Sequence, residues 1–138
     1  VAYFGRGHGE ESQVGLRATA GTVATRVYHE PADAVGLQLI VPDPAHQDLV
    51  TSAIYGEQGV KAGWTEGVCV DQLMTAAEHL VRRGARVVIL GCTELPLIAG
   101  HAPAVALAGT TVAFVDPTTT LAIRCVALAK PAMQPASA

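Results

Sequence analysis

The sequence of 138 residues contains few aromatic and few charged side chains: 4% are aromatic and 15% charged, whereas 50% are hydrophobic. A core must therefore be built mainly from Ala, Val, Leu and Ile, a composition that suits layered α/β folds and argues against intrinsic disorder. The twelve acidic residues outnumber the nine basic ones, and no basic run occurs. A nucleic acid is therefore not expected as a partner.

Long apolar runs and cysteine pairs are also missing. The longest apolar stretch, residues 102–115, is interrupted by a proline, a glycine and threonines and is too short for a membrane span. Cys69, Cys92 and Cys125 show no C-x-x-C spacing, which argues against a zinc knuckle and a disulfide framework and favours a cytoplasmic location. The five histidines show no ligand spacing, so no metal site is predicted. No membrane anchor is predicted either, because the apolar stretches are too short.

Alternating strands and helices predict a single three-layer α/β lobe with a mostly parallel sheet of about four strands flanked by helices. Short apolar runs at residues 14–18, 37–41, 87–90 and 112–115 predict the strands, and the β-branched run at 87–90 is typical of a central one. Residues 1–12 are predicted to be a loop or lead-in, residues 13–130 the lobe and residues 131–138 a tail.

The helical patterns carry further expectations. Asp43-Pro44 and Asp116-Pro117 each combine an N-cap with a favourable first helical residue, and a long amphipathic helix is predicted from residue 65 to Gly84. After the first strand, Pro31 should kink or restart a helix around Glu30. The last helix contains one charged residue between 121 and 129 and is therefore expected to be buried on two sides. Cys69 and Cys125 lie within helical patterns and are predicted to be core residues.

Polar residues follow the central strand at its carboxyl end, where ligands collect in parallel sheets. At a helix start, backbone N–H groups and the helix dipole favour the thiolate of Cys92, which would then act as a base. Thr93 and Glu94 are polar neighbours, and Gly91 permits close approach of a ligand. The alternative is that Cys92 is a small buried hydrophobic residue and that its neighbours merely begin a helix.

Two other segments are candidates for holding an anion. Thr19, Gly21 and Thr22 place two hydroxyls and a glycine at a predicted helix start, which suits a carboxylate or phosphate. Two threonines that only cap a helix explain the same pattern. Lys61, between glycines in a predicted loop, is either an anion contact or a solvated charge, and periodicity does not decide between them.

Four segments in sequence order resemble the aspartate/glutamate racemase family of cofactor-independent amino-acid racemases. Residues 90–97, LGCTELPL, are similar to its second cysteine motif, and residues 14–22, VGLRATAGT, to its carboxylate-binding turn. Residues 54–56 followed by residues 60–63 resemble a segment of the aspartate racemase branch, and residues 114–118 resemble the closing strand and turn. The first-lobe motif, a cysteine followed by Asn-Thr or a similar pair, does not occur, so the resemblance is to the C-terminal lobe.

The resemblance implies that Cys92 is one acid/base in a two-thiol racemization at Cα, without pyridoxal phosphate or a metal. It also implies that the carboxylate-binding turn and Thr93 hold the α-carboxylate and amino end of a small acidic amino acid. Lys61 would contact the side-chain carboxylate, and Glu94 would orient Cys92. The second thiol would come from a missing first lobe or from a second copy in a homo-oligomer. The alternative function is a non-catalytic carboxylate-binding or interaction domain with the same fold.

Overall fold

The structure, a computed structural model, describes residues 13–99 and 104–130. The interpretations of residues 1–12 as a lead-in and 131–138 as a tail lie outside the described residues. Five strands form one sheet in the order β2-β1-β3-β5-β4. They are β1 Val14–Arg17, β2 Leu39–Ile40, β3 Val87–Leu90, β4 Ala104–Leu107 and β5 Thr110–Val115. The neighbouring pairs formed by β2, β1, β3 and β5 are parallel, whereas β4 pairs antiparallel with β5.

The described residues include six α-helices, five of them between strands and the last after β5. They are α1 Ala20–Ala24, α2 His29–Asp33, α3 Pro44–Tyr55, α4 Val68–Arg82, α5 Leu95–Ala99 and α6 Pro117–Ala129, with a short 3₁₀ helix at Val60–Ala62 before α4. The predicted caps are confirmed: Asp43 accepts from the His46 N–H at 2.9 Å, and Asp116 accepts from the Thr118 N–H at 2.9 Å. Each aspartate thereby satisfies a backbone donor that the first helical turn leaves free.

The mostly parallel α/β sheet is confirmed, and β3 is its central strand. The difference from the expected four strands is β4, which was not predicted. It forms a hairpin with β5 through Ala108 and Gly109, whose φ angles are 47° and 75°. Left-handed backbone is rare for alanine, so an Ala-Gly pair gives only a weak hairpin signal in the sequence.

The helical segment after β1 restarts at His29, which confirms the restart expected around Glu30. The break between α1 and α2 lies at residues 25–28, where Arg26 has a φ of 56° and its carbonyl accepts from the N–H groups of His29 and Glu30. Pro31 therefore lies in the first turn of α2 rather than at a kink. A helix leaves its first N–H groups without intrahelical acceptors, so proline costs little there.

The core lies between one face of the sheet and the antiparallel pair α3 and α4. Its fully buried members include Val50, Ile54, Leu73, Leu80 and Val88. A side chain on Gly15 of β1 would lie 3.1 Å from Leu80 Cδ1. The glycine thus allows α4 to pack closely on the sheet.

Arg17, at the end of β1, is fully buried although it was predicted as part of an apolar run. Its Nη1 donates to the Leu73 carbonyl at 2.8 Å, and its guanidinium carbon lies 4.6 Å from the centroid of the Phe114 ring. Nε and Nη2 have no hydrogen-bond partner within the described part of the chain. Burial lowers the pKa of Arg17 to about 9, which reflects the cost of removing a cation from water.

Helix α6 contradicts the expectation of burial on two sides, because all of its residues from Thr118 onwards are exposed. The exposed fractions of Leu121, Ile123, Val126 and Leu128 are 64%, 65%, 58% and 68%. No element of the described part of the chain covers the helix, and Cys125 on it is exposed rather than a core residue. Among residues 13–99 and 104–130, no helix is both long and apolar enough to cross a membrane.

Candidate active site

The sheet brings two of the predicted polar segments together at the carboxyl ends of its parallel strands, which we call the carboxyl edge. Strands β1 and β3 are parallel neighbours with Arg17 opposite Leu90, and the Gly91 N–H donates to the Arg17 carbonyl at 2.7 Å. The residues that follow the two strands, 19–22 and 91–94, therefore leave the sheet side by side. Strand β5, on the other side of β3, places Asp116 at the same edge.

The Glu94 side chain contacts several of the polar side chains at this edge. Its Oε2 accepts from Cys92 Sγ at 2.8 Å and from Thr93 Oγ1 at 2.9 Å, while its Oε1 lies 3.2 Å from Lys61 Nζ. One carboxylate thus contacts three side chains that were selected from the sequence for separate reasons. We call these four residues the Glu94 cluster.

The contacts determine the charges of the Glu94 cluster. The hydrogen bond from Cys92, followed by that from Thr93, lowers the pKa of Glu94 to about 2, so the carboxylate is charged at neutral pH. Burial, followed by the hydrogen bond to Glu94, raises the pKa of Cys92. The expected thiolate is therefore wrong for this structure. The helix that follows, α5, begins only at Leu95 and has five residues, so its dipole does not offset the adjacent carboxylate.

Lys61 is held from two sides. It lies in the 3₁₀ helix Val60–Ala62 rather than in an irregular loop, and its Nζ is 5.0 Å from the centroid of the Tyr55 ring at the end of α3. Its hydrogen bond to Glu94 raises its pKa. In this structure the lysine pairs with a carboxylate of the protein itself, which leaves a substrate carboxylate to compete for it.

Thr19, Gly21 and Thr22 form the start of α1 and contact one another. Thr19 Oγ1 accepts from the Thr22 N–H at 3.2 Å and lies 3.0 Å from Thr22 Oγ1. Among the described residues, the atom nearest to a side chain placed on Gly21 would be Thr19 Oγ1, at 3.9 Å. Within the described ranges, no hydrogen bond joins these residues to the Glu94 cluster. The threonines act as a helix cap here, and the described residues leave space beside Gly21.

Tyr28 and Gly91, at this edge, have roles that differ from those predicted from the sequence. Tyr28 lies near the edge: burial raises its pKa most, followed by the charges that Cys92 and Asp116 carry at the alkaline pH where tyrosine titrates. The sequence showed only an apolar helical position there. Gly91 is required by protein packing rather than by a ligand, because its added Cβ would lie 2.8 Å from Leu16 Cδ1 and 3.0 Å from Ala18 Cβ.

The sequence of this chain is similar to those of known proteins. The sequence model of the Asp/Glu/hydantoin racemase family matches residues 6–125. A protein from Pectobacterium carotovorum subsp. carotovorum, named only as an uncharacterized protein in the pnlA 3' region, is 36% identical over 91 residues, which are 66% of this chain and 58% of that protein.

Two solved structures share the fold. One, of a candidate Asp/Glu racemase from Yersinia pestis, has a TM-score of 0.70 at 22% identity and covers 85% of this chain and 48% of its own. The other, of an aspartate racemase homologue from Pyrococcus horikoshii OT3, has a TM-score of 0.67 at 22% identity, with coverages of 84% and 47%. This chain thus spans about half the length of the proteins it matches.

Proposed function

Because the chain belongs to the Asp/Glu/hydantoin racemase family, we propose that it is the C-terminal lobe of a pyridoxal-phosphate-independent amino-acid racemase of cytoplasmic location. Cys92 would exchange a proton at Cα. The observation that carries this proposal is the Glu94 cluster at the carboxyl edge of the sheet, where Cys92 Sγ donates to Glu94 Oε2 at 2.8 Å.

The protonation state of Cys92 indicates whether this residue acts first as an acid or as a base. Racemization needs a base on one face of Cα and an acid on the other. Because the pKa of Cys92 is raised, its resting state is the thiol, which can deliver a proton. The S–H bond breaks as the new Cα–H bond forms, and the electron pair stays on sulfur as a thiolate. Glu94 disfavours that thiolate by like charge and so favours return of the proton.

Substrate binding follows from the charged groups at the same edge. We assign a small acidic amino acid as the substrate, with Lys61 exchanging Glu94 for the side-chain carboxylate of the substrate. Thr93, together with Thr19, Gly21 and Thr22, would hold the α-carboxylate as negative charge develops at Cα. The space that the described residues leave beside Gly21 supports a contact with a ligand there.

Neither of the other two cysteines of the same copy is proposed as the second acid/base. Cys69 is fully buried and its Sγ donates to the carbonyls of Trp64 and Glu66 at 3.6 and 3.4 Å. Cys125 lies on α6, which no described element covers. We therefore propose that another lobe or a second copy of this chain supplies the second thiol. The uncovered apolar side chains of α6 support such a partner.

The test is hydrogen exchange at Cα of L- and D-aspartate and of L- and D-glutamate, in D₂O and without pyridoxal phosphate. We expect slow exchange by the chain alone, lost in Cys92→Ser and retained in the control Cys125→Ser. A rise in specific activity with protein concentration would indicate that a second copy completes the site. Exchange that persists in Cys92→Ser would contradict the assigned role of Cys92.

A non-catalytic carboxylate-binding domain is the second candidate. The observation that favours it is the ion pair between Lys61 and Glu94 at 3.2 Å together with the raised pKa of Cys92, since these describe a neutral thiol and a partnered lysine. Aspartate binding by calorimetry, without exchange at any protein concentration, would support this candidate over the racemase.

A further inference from the structure

A second group of ligating side chains lies between α3 and α4, although the histidines show no ligand spacing in the sequence. Asp43 caps α3, His46 lies in the first turn of α3, and His79 lies in the last turn of α4. The two helices run antiparallel, which brings His79 beside Asp43 across 36 positions of sequence. We call these three residues the Asp43 cluster.

The Asp43 cluster is separate from the Glu94 cluster. Helix α3 has 12 residues, and Asp43 precedes its first residue while Tyr55, which contacts Lys61, is its last. At 1.5 Å per residue, this places the two clusters roughly 18 Å apart along the helix axis. The role proposed for Cys92 therefore does not account for the Asp43 cluster.

The potential ligand atoms of the Asp43 cluster lie close together. His46 Nδ1 lies 2.6 Å from Asp43 Oδ1, and His79 Nε2 lies 3.6 Å from Asp43 Oδ2. The three potential ligand atoms lie within 4.8 Å of one another. The two imidazole rings are stacked with centroids 3.8 Å apart and an interplanar angle of 15°. Each carboxylate oxygen thus faces an imidazole nitrogen, at a partly exposed position that an ion can reach.

We propose that Asp43, His46 and His79 bind a divalent transition-metal ion such as Zn²⁺ through one carboxylate oxygen and two imidazole nitrogens. Two nitrogens and one oxygen suit Zn²⁺, whereas Mg²⁺ and Ca²⁺ prefer oxygen ligands. Partial exposure leaves the fourth position of the ion to water.

Binding requires small movements of the cluster. Ligand atoms around tetrahedral Zn²⁺, each roughly 2.0–2.2 Å from the ion, lie about 3.3 Å apart, so the side chains must close by up to about 1.5 Å. The proton between His46 Nδ1 and Asp43 Oδ1 leaves to solvent or to Nε2 of the same ring.

His79 Nε2 must also exchange its present partners for the ion. It lies 3.3 Å from Arg83 Nη1 and accepts from the Asp43 N–H at 3.4 Å. Arg83 keeps a partner after the exchange, because its Nη1 also donates to the Val41 carbonyl at 2.7 Å. Because the ligands come from both helices, the ion would tie the start of α3 to the end of α4 and stabilise the folded state.

The experiment measures thermal unfolding and calorimetric binding with ZnCl₂ and with MgCl₂. It uses the full chain carrying Cys92→Ser and Cys125→Ser, so that accessible thiols do not bind the ion. We expect Zn²⁺ at a hundred times its Kd to raise Tm by about 5–10 °C, and Mg²⁺ to have no effect. His46→Gln and His79→Gln should each abolish most of the rise, whereas His29→Gln, on α2, should keep it.

Two further measurements keep the proposal falsifiable if a histidine variant folds poorly. Asp43→Asn retains a capping oxygen but removes the anionic ligand, so it should stay folded and bind Zn²⁺ at least tenfold more weakly. Co²⁺ should give visible absorption bands without the intense near-ultraviolet band of thiolate ligation. A Tm rise that persists in the His46→Gln/His79→Gln double variant, an equal rise with Mg²⁺, or no rise with Zn²⁺ would each overturn the proposal.

Discussion

Glu94 shows how one side chain can determine the chemistry of its neighbours. Its carboxylate contacts Cys92, Thr93 and Lys61 within 3.2 Å. The residue types of this cluster could be selected from the sequence, because a thiol, a lysine and polar groups stand out at strand ends and in glycine-rich turns. The direction in which the pKa of Cys92 shifts could not be predicted from the sequence, because it depends on the orientation of the Glu94 side chain.

Alkylation of the folded protein should follow exposure and thiol acidity. We expect iodoacetamide at pH 8 to label Cys125 first, Cys92 more slowly and Cys69 last, since these residues are exposed, half-buried with a raised pKa, and buried. This order reverses what a thiolate at Cys92 would give. Peptide mapping over time measures it, and labelling of Cys92 ahead of Cys125 would contradict the structure.

The same reaction tests the effect of Glu94 on Cys92. Glu94→Gln removes the negative charge that disfavours the thiolate, so the pH midpoint for labelling Cys92 should fall, while the midpoint for Cys125 stays unchanged. Cys125 thereby serves as an internal control. An unchanged or higher midpoint for Cys92 would show that the contact with Glu94 does not determine its acidity.

Glu94 should also contribute to acid stability. Its pKa falls from 4.5 to about 2 on folding, so the charged form is favoured in the folded state. The resulting stabilisation is complete above pH 4.5 and is lost as the pH falls from there to about 2. We expect the Tm difference between the wild type and Glu94→Gln to narrow over that range and to stay constant between pH 6 and 8. A difference independent of pH would contradict the assignment.

Among the elements, those with local chemical signals were predictable. Asp43-Pro44 and Asp116-Pro117 marked the starts of α3 and α6 because capping involves only neighbouring residues. The hairpin of β4 and β5 was missed because Ala108 adopts a left-handed turn that alanine rarely forms. The Asp43 cluster was missed because the pairing of two helices, rather than a spacing, brings His79 to Asp43.

A methyl group added at Gly91, which packs against β1, and one added at Gly21, in α1, should have opposite effects on the stability of the fold. Gly91→Ala places a methyl group 2.8 Å from Leu16 Cδ1 and 3.2 Å from the Arg17 carbonyl, and should destabilise the fold by about 1–3 kcal/mol. Gly21→Ala meets nothing closer than 3.9 Å within α1, and should be neutral or stabilising by up to about 1 kcal/mol.

Chemical denaturation measures both glycine variants, with Gly21→Ala as the matched control for adding one methyl group. Equal effects at the two positions would show that strand packing does not explain Gly91. Loss of aspartate binding in a fully stable Gly21→Ala protein would support the proposed ligand contact at that position.

For the molecule as a whole, α6 is the element that the described structure leaves without a covering partner. The chain spans about half the length of the proteins it matches, and this helix exposes four large apolar side chains. We expect the chain to self-associate at high micromolar concentration through α6. Light scattering across a dilution series measures the association.

Substitutions on α6 separate this association from general solubility. Ile123→Lys/Val126→Lys should shift the chain towards monomer without lowering Tm, because neither side chain is buried. Val35→Lys is the control, since Val35 is 56% exposed but lies between α2 and β2. A monodisperse wild-type monomer, or an equal effect of Val35→Lys, would contradict the role of α6.

The two outer strands of the sheet differ in how well they resist aggregation. Strand β2 offers only the residues Leu39–Ile40 to an incoming strand, whereas β4 offers Ala104–Leu107, which reads AVAL and has no charged gatekeeper. Among residues 13–99 and 104–130, β4 pairs only with β5, and its other side has no backbone partner in those ranges. Pairing between the β4 strands of two copies would close into a dimer, because β2 at the opposite side of the sheet is too short to accept a further strand. This edge therefore offers a route to association that does not depend on α6.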